Sequence, residues 1–432
     1  MFKYAFIGAG PAALNAVADL PVEDRLASVI VEAGFSGNRK VCPSLKSQSC
    51  SSCFGEKCHV INGIGGASAT FGNKYCHFPA SSGVQELMSV KTVVQAEASA
   101  HGRSVVVQHP NVPNRKVYDV SIAHADSYRA AIDDLISDVQ STTPILKGWS
   151  VESIKRLGAY WFRLVSEAGE TIDTENVVIA TGRSGHIALR RWLDQLGIGY
   201  SENSPDIGVR IEAPSNSISR QFLYQDDPKF KFDFGELGQA RTFCTCKGGQ
   251  IVPVKFGNGF FADGAFVRKD TGRTNVALMA RTGEVFEPQA LEEWCQSVNE
   301  ASEDRLLLGA FDNFSGSDSS LEQAIYDVIP KGPSPRYKKA LQALLHRLLN
   351  DPSCQIFDGA TGEHGLLKVF GPSIDLYWPK VRLSQGFKSS VDGVYVIGDA
   401  AGVSRGIVQA MAAGKSWAHS VSSNTTHNVA RW

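Results

Sequence analysis

KYAFIGAGPAALNAVADL, from Lys3 to Leu20, is the stretch that decides the fold. Tyr4 to Ile7 are apolar and strand-forming, a glycine turn follows, and a run of small residues then has helical character. Gly8, Gly10 and Ala13 occupy the positions of a G-x-G-x-x-A motif. Gly8 permits the turn, and Gly10 lets backbone amides approach a pyrophosphate where Pro11 and Ala12 open the helix. The missing bulk at Ala13 lets helix and strand pack closely. LASVIVEAG then predicts a second buried strand ending on Glu32, nineteen residues past Ala13. An acid about 20 residues beyond the glycines is the group that holds a ribose hydroxyl. Strand, turn, helix, strand and acid together predict dinucleotide binding.

The far end of the chain returns to the same theme in GVYVIGDAAGVSRGIVQAMAAGKSWA. Val394 to Ile397 predict a buried strand with Gly398 and Asp399 at its carboxyl end, and a small-residue helix begins at Gly406 and Ile407. An aspartate there accepts hydrogen bonds from a ribityl hydroxyl, and a helix N-terminus suits the electron-rich oxygens of a flavin ring. Between the two ends, DSYRAAIDDLISDV (Asp126–Val139) has helical periodicity with Asp126 as its expected N-cap. SVESIKRL, YWFRLVSEAG and ENVVIATG predict an antiparallel meander that rejoins a parallel sheet at Thr181 and Gly182.

From about Asp206 to Val381 the pattern changes. Strand-like GVRIEA, RTFCTC and NVALMAR alternate with amphipathic helices such as PRYKKALQALLHRLL, and SGSDSSLEQ (Ser315–Gln323) is the most loop-like break. The expected fold is therefore α/β: a Rossmann-like FAD-binding domain with a β-meander, plus an inserted α+β substrate domain. The first domain takes residues 1–204, including a four-cysteine segment at 42–58, the substrate or cap domain takes 205–381, and 382–432 return to the first domain.

The 432 residues carry 43 basic and 44 acidic side chains, a formal net charge of −1 that favours neither nucleic acid nor an anionic membrane. Apolar runs fall short of the ~18 residues that span a bilayer. KYAFIG enters a strand with no signal-like segment ahead of it, so a cytoplasmic address is expected. The nine cysteines are odd in number and mostly clustered, which speaks for metal or redox chemistry rather than an extracellular disulfide framework.

Cys42, Cys50, Cys53 and Cys58 have the spacing C-x7-C-x2-C-x4-C. Four thiolates fit Zn2+ or an iron–sulfur cluster equally on ligand count, with thiol–disulfide chemistry and unligated thiols also open. Cys244 and Cys246 form a second pair in RTFCTCKGGQ. On an extended strand they share a face, too far apart for an unstrained disulfide unless the backbone turns. They are read either as redox-active or substrate-binding thiols or as half-buried structural ones. Cys76, Cys295 and Cys354 stand alone in the sequence and are expected to be core or surface thiols.

GAGPAAL, VIVEAG, VVIATG and VYVIGDAAG resemble the FAD-contacting stretches of two-domain flavoproteins of the glutathione-reductase type. With CPSLKSQSC-SSC-FGEKC, GIGGAS, PDIGVRIEAP, DPKF and RTFCTCKGG, the sequence is similar over most of its length to a poorly characterised family of bacterial FAD-dependent dehydrogenases. Here GGASATFGNK stands where that family's turn carries an acidic residue. The resemblance implies noncovalent FAD, contacted also by Gly65, Gly66 and Ala67 in the turn from Gly63 to Ser68, with the four cysteines close by.

The expected function is that of an FAD-dependent oxidoreductase acting on a small organic substrate, with a four-cysteine metal site near the flavin. Alternatives are a flavin monooxygenase, or a non-catalytic flavoprotein serving as redox sensor or electron-transfer partner. Cys244, Cys246 and His77 are the catalytic candidates; His77, Tyr75 and Lys74, which follow the flavin-side turn, are read either as proton relays or as surface and packing residues. No second strand–G-x-G-x-x-G–helix unit is visible, so electrons arrive from transiently bound NAD(P)H, a partner protein or the substrate itself. No Ser-His-Asp order or H-E-x-x-H supports hydrolysis.

Overall fold

The first strand, β1 (Phe2–Ile7), sends Tyr4 and Phe6 into one apolar layer and Ala5 and Ile7 into another, as a central strand of a covered parallel sheet must. The structure is a computed structural model, and it describes residues 1–35, 57–71, 73–88, 114–158, 160–265, 270–300, 307–311, 333–357, 367–375, 379–403 and 405–428. Helix α1 (Pro11–Ala18) covers the first layer, with Pro11 in its first turn, where a missing N–H leaves no bond unmade. β2 (Ser28–Glu32) then runs parallel to β1, with Tyr4 opposite Ser28 and Ile7 opposite Val31.

α2 (Ala125–Gln140) follows, and its cap is His124 rather than Asp126: Nδ1 of His124 accepts the Asp126 N–H at 3.4 Å. Asp126 sits instead within the first turn, where its charge still opposes the helix dipole. β3 (Ile145–Lys147) extends the parallel edge beyond β2. β4 (Val151–Leu157), β5 (Trp161–Ser166) and β6 (Thr171–Ile179) form the antiparallel meander, and β6 runs parallel to β1 on its other side. α3 (His186–Leu196) closes the second layer with Leu189, Trp192 and Leu193.

A second, antiparallel sheet begins with β7 (Asp206–Pro214) and includes β8 (Gln239–Lys247). The hairpin of β9 (Gln250–Phe256) and β10 (Gly259–Ala265) pairs only with itself among the described strands. β11 (Arg273–Arg281) lies between β7 and β8. Helix α4 (Pro335–Asn350) buries Tyr337, Leu341, Leu344, Leu345 and Leu348 against this sheet, and Ser334 caps it by accepting the Arg336 N–H at 3.2 Å. β12 (Leu367–Asp375) pairs with β7 on its other edge. Arg115–Lys116, from the N-terminal side of the expected boundary, pairs with Lys229–Phe230 as the outer strand of this sheet. The expected loop at Ser315–Gln323 lies outside the described residues.

The chain then returns to the first sheet. β13 (Val394–Val396) lies parallel to the last residues of β6, Val177–Ile179, on the edge that β5 occupies earlier along the same strand. Helix α5 (Ile407–Asn428) packs on α1 at backbone distance. A Cβ on Gly414 would collide with the Ala12 carbonyl and stand 2.9 Å from the Ala16 amide nitrogen. The strand ends of β1, β6 and β13 and the N-termini of α1 and α5 thereby converge.

Candidate functional site

A cavity of about 160 Å³ opens at this convergence. The two motif glycines meet different demands there. Gly8 has φ +104°, and a Cβ on it would lie 2.6 Å from the Ala180 carbonyl oxygen, so only glycine lets β1 and β6 end side by side. Gly10 is extended (φ −82°, ψ −178°), and a Cβ on it would meet none of the described residues within 4 Å. The space that its missing side chain leaves belongs to the cavity.

Glu32 ties the surrounding turns together. Its Oε2 accepts the Ala9 N–H at 2.9 Å, and its Oε1 accepts the N–H groups of Gly34 and Gly63, each at 2.8 Å. Oε2 keeps a lone pair for a further donor. The Gly63–Ser68 turn is pinned over the glycine motif by the Gly65 N–H, which donates to the Ala9 carbonyl at 2.8 Å. Gly66, Ala67 and Ser68 then form one wall.

On the opposite side stand Thr181, Gly182, Gly398 and Asp399, with Arg405, Gly406 and Ile407 leading into α5. Thr181 Oγ1 is buried and has no hydrogen-bond partner among the described residues, an expensive state that a bound polar ligand relieves. Asp399 is half-buried, and burial, opposed by the nearby Arg183 charge, pushes its carboxyl up to about 6.

The structure thus gathers Gly8, Gly10, Pro11, Ala12, Glu32 and the C-terminal Gly398, Asp399, Gly406 and Ile407 around one cavity. Ala13 is fully buried packing, and Gly65 acts through its hydrogen bond to Ala9. Sequence reasoning missed Asn62, Arg183, Ser184 and Arg405, which also line the cavity. Arg183 directly follows the ATG turn and Arg405 directly precedes Gly406, so adjacency to the motifs was the available signal. Arg183 Nη1 binds Asp263 Oδ2 of β10 at 2.5 Å, and Arg405 pairs with Asp375 at the end of β12. Both arginines therefore join the first sheet to the second body.

A second cavity of about 190 Å³ adjoins the first, and Ile61, Asn62, Arg183 and Ser184 line both. Its walls include Phe256, Phe261, Ile187 and Ile374, with Lys255, Glu292 and Asp375 supplying charge. His186 stacks on Phe256 with ring centroids 5.3 Å apart, its Nε2 3.5 Å from Glu292 Oε1.

The catalytic candidates stand elsewhere. Cys244, Cys246 and His77 are absent from the walls of both cavities. His77 Nε2 lies 2.7 Å from Ser121 Oγ, and burial lowers its pKa from the usual histidine value despite the Asp119 charge. Tyr75 is buried edge-on against Tyr128, and burial pushes its hydroxyl up to about 12, a poor proton relay near neutrality.

Lys74 instead points into a buried cluster around Asp227. Its Nζ lies 3.0 Å from Asp227 Oδ1, 3.1 Å from the Thr245 carbonyl and 3.6 Å from Cys244 Sγ. Cys76, isolated in the sequence, belongs to the same cluster: its thiol donates to Asp227 Oδ2 at 3.4 Å. Burial opposes the Asp227 charge, but Lys229, Lys74 and the Tyr118 hydroxyl hold its carboxyl well below the usual range. Cys295 and Cys354 are buried core thiols, as expected.

Of the proposed metal set, Cys42, Cys50 and Cys53 lie outside the described residues. Cys58 is half-buried, packs against the core of the second body and lines the second cavity. Among the described residues no group of three or more His, Cys, Asp or Glu side chains is arranged to hold a metal ion. No described helix is long and apolar enough to cross a membrane.

No family model matches the chain, and no curated protein matches it. Among solved structures, it is similar to 2,6-dihydroxypyridine-3-hydroxylase from Arthrobacter nicotinovorans, at 12% identity over 99% of this chain and 84% of that one, with a TM-score of 0.42. The Diels-Alderase PyrE3 of pyrroindomycin biosynthesis gives 12% identity, 100% and 67% coverage and a TM-score of 0.42. CtdE in complex with FAD gives 11%, 95% and 82%, and 0.38. Likeness this distant assigns neither substrate nor reaction, and none of these three names is that of a glutathione reductase.

Proposed function

We propose that this chain is an FAD-dependent oxidoreductase acting on a small organic substrate. The observation that carries the reading is the convergence of two strand–turn–helix units, from opposite ends of the chain, on one cavity. That cavity offers an open Gly10, an acceptor on Glu32, an acid at Asp399 and the unsatisfied Thr181 hydroxyl. These groups fit FAD in its parts. Glu32 accepts from the adenosine ribose, the amides opening α1 face the pyrophosphate, Asp399 accepts from the ribityl chain, and the N-terminus of α5 favours electron density on the ring. FAD, once bound, supplies the two-electron chemistry.

The protein's part is to bind, orient and shield. The adjoining cavity, with two phenylalanines and charged groups at one wall, is the substrate chamber in this reading, and an open chamber beside the cofactor favours an enzyme over a closed electron relay. Arg183 lies on the wall common to both cavities, where its charge is available to electron density that develops between them. The four-cysteine metal site rests on sequence spacing, and metal analysis of anaerobically purified protein decides it.

The test is to purify the protein, denature it and identify what it releases. FAD is the expected product. FMN overturns the assignment, because Glu32 is there to hold an adenosine half, and so does a protein that takes up no flavin when FAD is supplied.

A further inference from the structure

Cys244 occupies a position that a β-strand does not ordinarily offer. The register between β8 and β11 shifts between Phe243 and Cys246, and Cys244 at this bulge has φ +51°, a left-handed conformation costly for a side chain other than glycine. The turn changes the relation of the two cysteines: Cys246 Sγ comes within 3.5 Å of the Cys244 carbonyl oxygen. The bulge is held from both sides. Arg210, itself buried, donates from Nη2 to the Cys244 carbonyl at 2.5 Å, and the Thr245 N–H donates to Asp227 Oδ1 at 2.9 Å.

The surroundings polarise the pair. Lys74 Nζ stands 3.6 Å from Cys244 Sγ, and Asp227 keeps that ammonium in place. Cys244 is half-buried, whereas Cys246 is buried behind it. A hydrogen bond from Cys246, with the charges of Lys74 and Arg210, outweighs burial and Asp227 and holds Cys244 down to about 5. The same hydrogen bond, reinforced by burial, raises Cys246. Cys76, the third thiol of the cluster, is pushed up to about 12 by burial and Asp227 and stays protonated.

From this geometry we propose that Cys244 and Cys246 are a redox-active dithiol, with Cys244 the attacking sulfur, Cys246 the resolving one and Lys74 the residue that positions and charges the first. The co-reactant is a low-molecular-weight disulfide. The Cys244 thiolate attacks one of its sulfurs, a mixed disulfide forms and one small thiolate leaves. Cys246 then attacks the Cys244 sulfur, closing the Cys244–Cys246 disulfide, and its proton departs with the second small thiol. The protein pair loses two electrons and the small disulfide gains them. Formation of the mixed disulfide removes the negative charge of Cys244 that raises Cys246, so the first step prepares the second. The proposal is independent of the flavin reading, since the thiols change mass whether or not a flavin is bound.

The test uses the full-length protein equilibrated anaerobically in glutathione buffers of graded potential, quenched with acid, alkylated and digested with trypsin. Cleavage after Arg241 and Lys247 isolates TFCTCK, which carries both cysteines and no other. A reversible shift of this peptide from doubly alkylated to two hydrogens lighter than the dithiol is expected. Cys246→Ser should accumulate the glutathione adduct on Cys244, and Cys244→Ser should leave Cys246 unmodified. Alkylation of native Cys244 should proceed at a nearly constant rate from mildly acidic to neutral pH, where an ordinary thiol gains about tenfold per pH unit. Lys74→Met should steepen that pH dependence and Lys74→Arg should leave it nearly flat. The proposal is overturned if the folded wild-type protein keeps both thiols alkylatable in the most oxidising buffer, or if Cys244 shows the ordinary slope. The wild-type measurements decide it even where a Lys74 variant fails to fold.

Discussion

Gly8 and Gly10 stand two residues apart in one motif, yet replacing them should have opposite consequences. Gly10 is already in an extended conformation open to any residue, and a Cβ there meets none of the described residues within 4 Å. Gly10→Val should therefore leave the flavin-free protein within about 1 kcal/mol of wild type, since less unfolded-state entropy offsets any small loss. In the proposed FAD site the same side chain would occupy the pyrophosphate path. Losing two amide contacts to a charged phosphate, at about 1.5–3 kcal/mol each, removes about 3–6 kcal/mol of binding. That is about 10²- to 10⁴-fold in affinity. Gly8→Ala meets a left-handed φ of +104° and a carbonyl oxygen at 2.6 Å, so strain and overpacking together should cost the fold about 2–6 kcal/mol. Thermal and urea unfolding of the flavin-free proteins, paired with fluorescence titration by FAD, separates the two effects. Wild-type affinity in Gly10→Val, or destabilisation of that variant to the level of Gly8→Ala, would refute the placing of the cofactor.

Three further predictions concern how the cleft is held. Gly414→Ala should destabilise the protein by about 1–3 kcal/mol in urea unfolding, because the new Cβ drives α5 off the α1 backbone. Asp263→Asn should cost about 3–5 kcal/mol, since Arg183 and Arg210 both pair with that carboxylate and Arg210 is buried; a double-mutant cycle with Arg183→Met should show the coupling. Asp399 titrates near 6 in the fold, above an ordinary aspartate, so its contribution is complete below about pH 4 and is lost as pH rises through about 6. Flavin-free protein should therefore lose unfolding free energy across that window, and Asp399→Asn should flatten the slope.

Sequence alone determined the parts of this molecule whose physics is local. An apolar run of strand length, glycines at fixed offsets and an acid at the next strand end restrict the backbone within a few dozen residues, and β1, α1, β2 and Glu32 follow from them. The same holds for the meander, for the return strand and for the amphipathic helix α4, whose apolar spacing demanded a face to cover.

Tertiary structure decided whatever depends on residues far apart in the chain. Arg183 and Arg405 adjoin motif residues, but only the meeting of β10 and β12 with the first sheet gives them carboxylate partners. Gly414 looks like one more small residue until α1 lies against it. Cys76 reads as isolated because Asp227, its partner, is 151 positions away. The C-x-C pair shows the division most clearly. Its strand-like sequence predicts separated thiols, and a bulge held by Arg210 and Asp227 turns Cys244 into a conformation that local preference disfavours. Long-range hydrogen bonds to buried groups outweigh a local preference worth only a few kcal/mol, and no pattern confined to the strand encodes them.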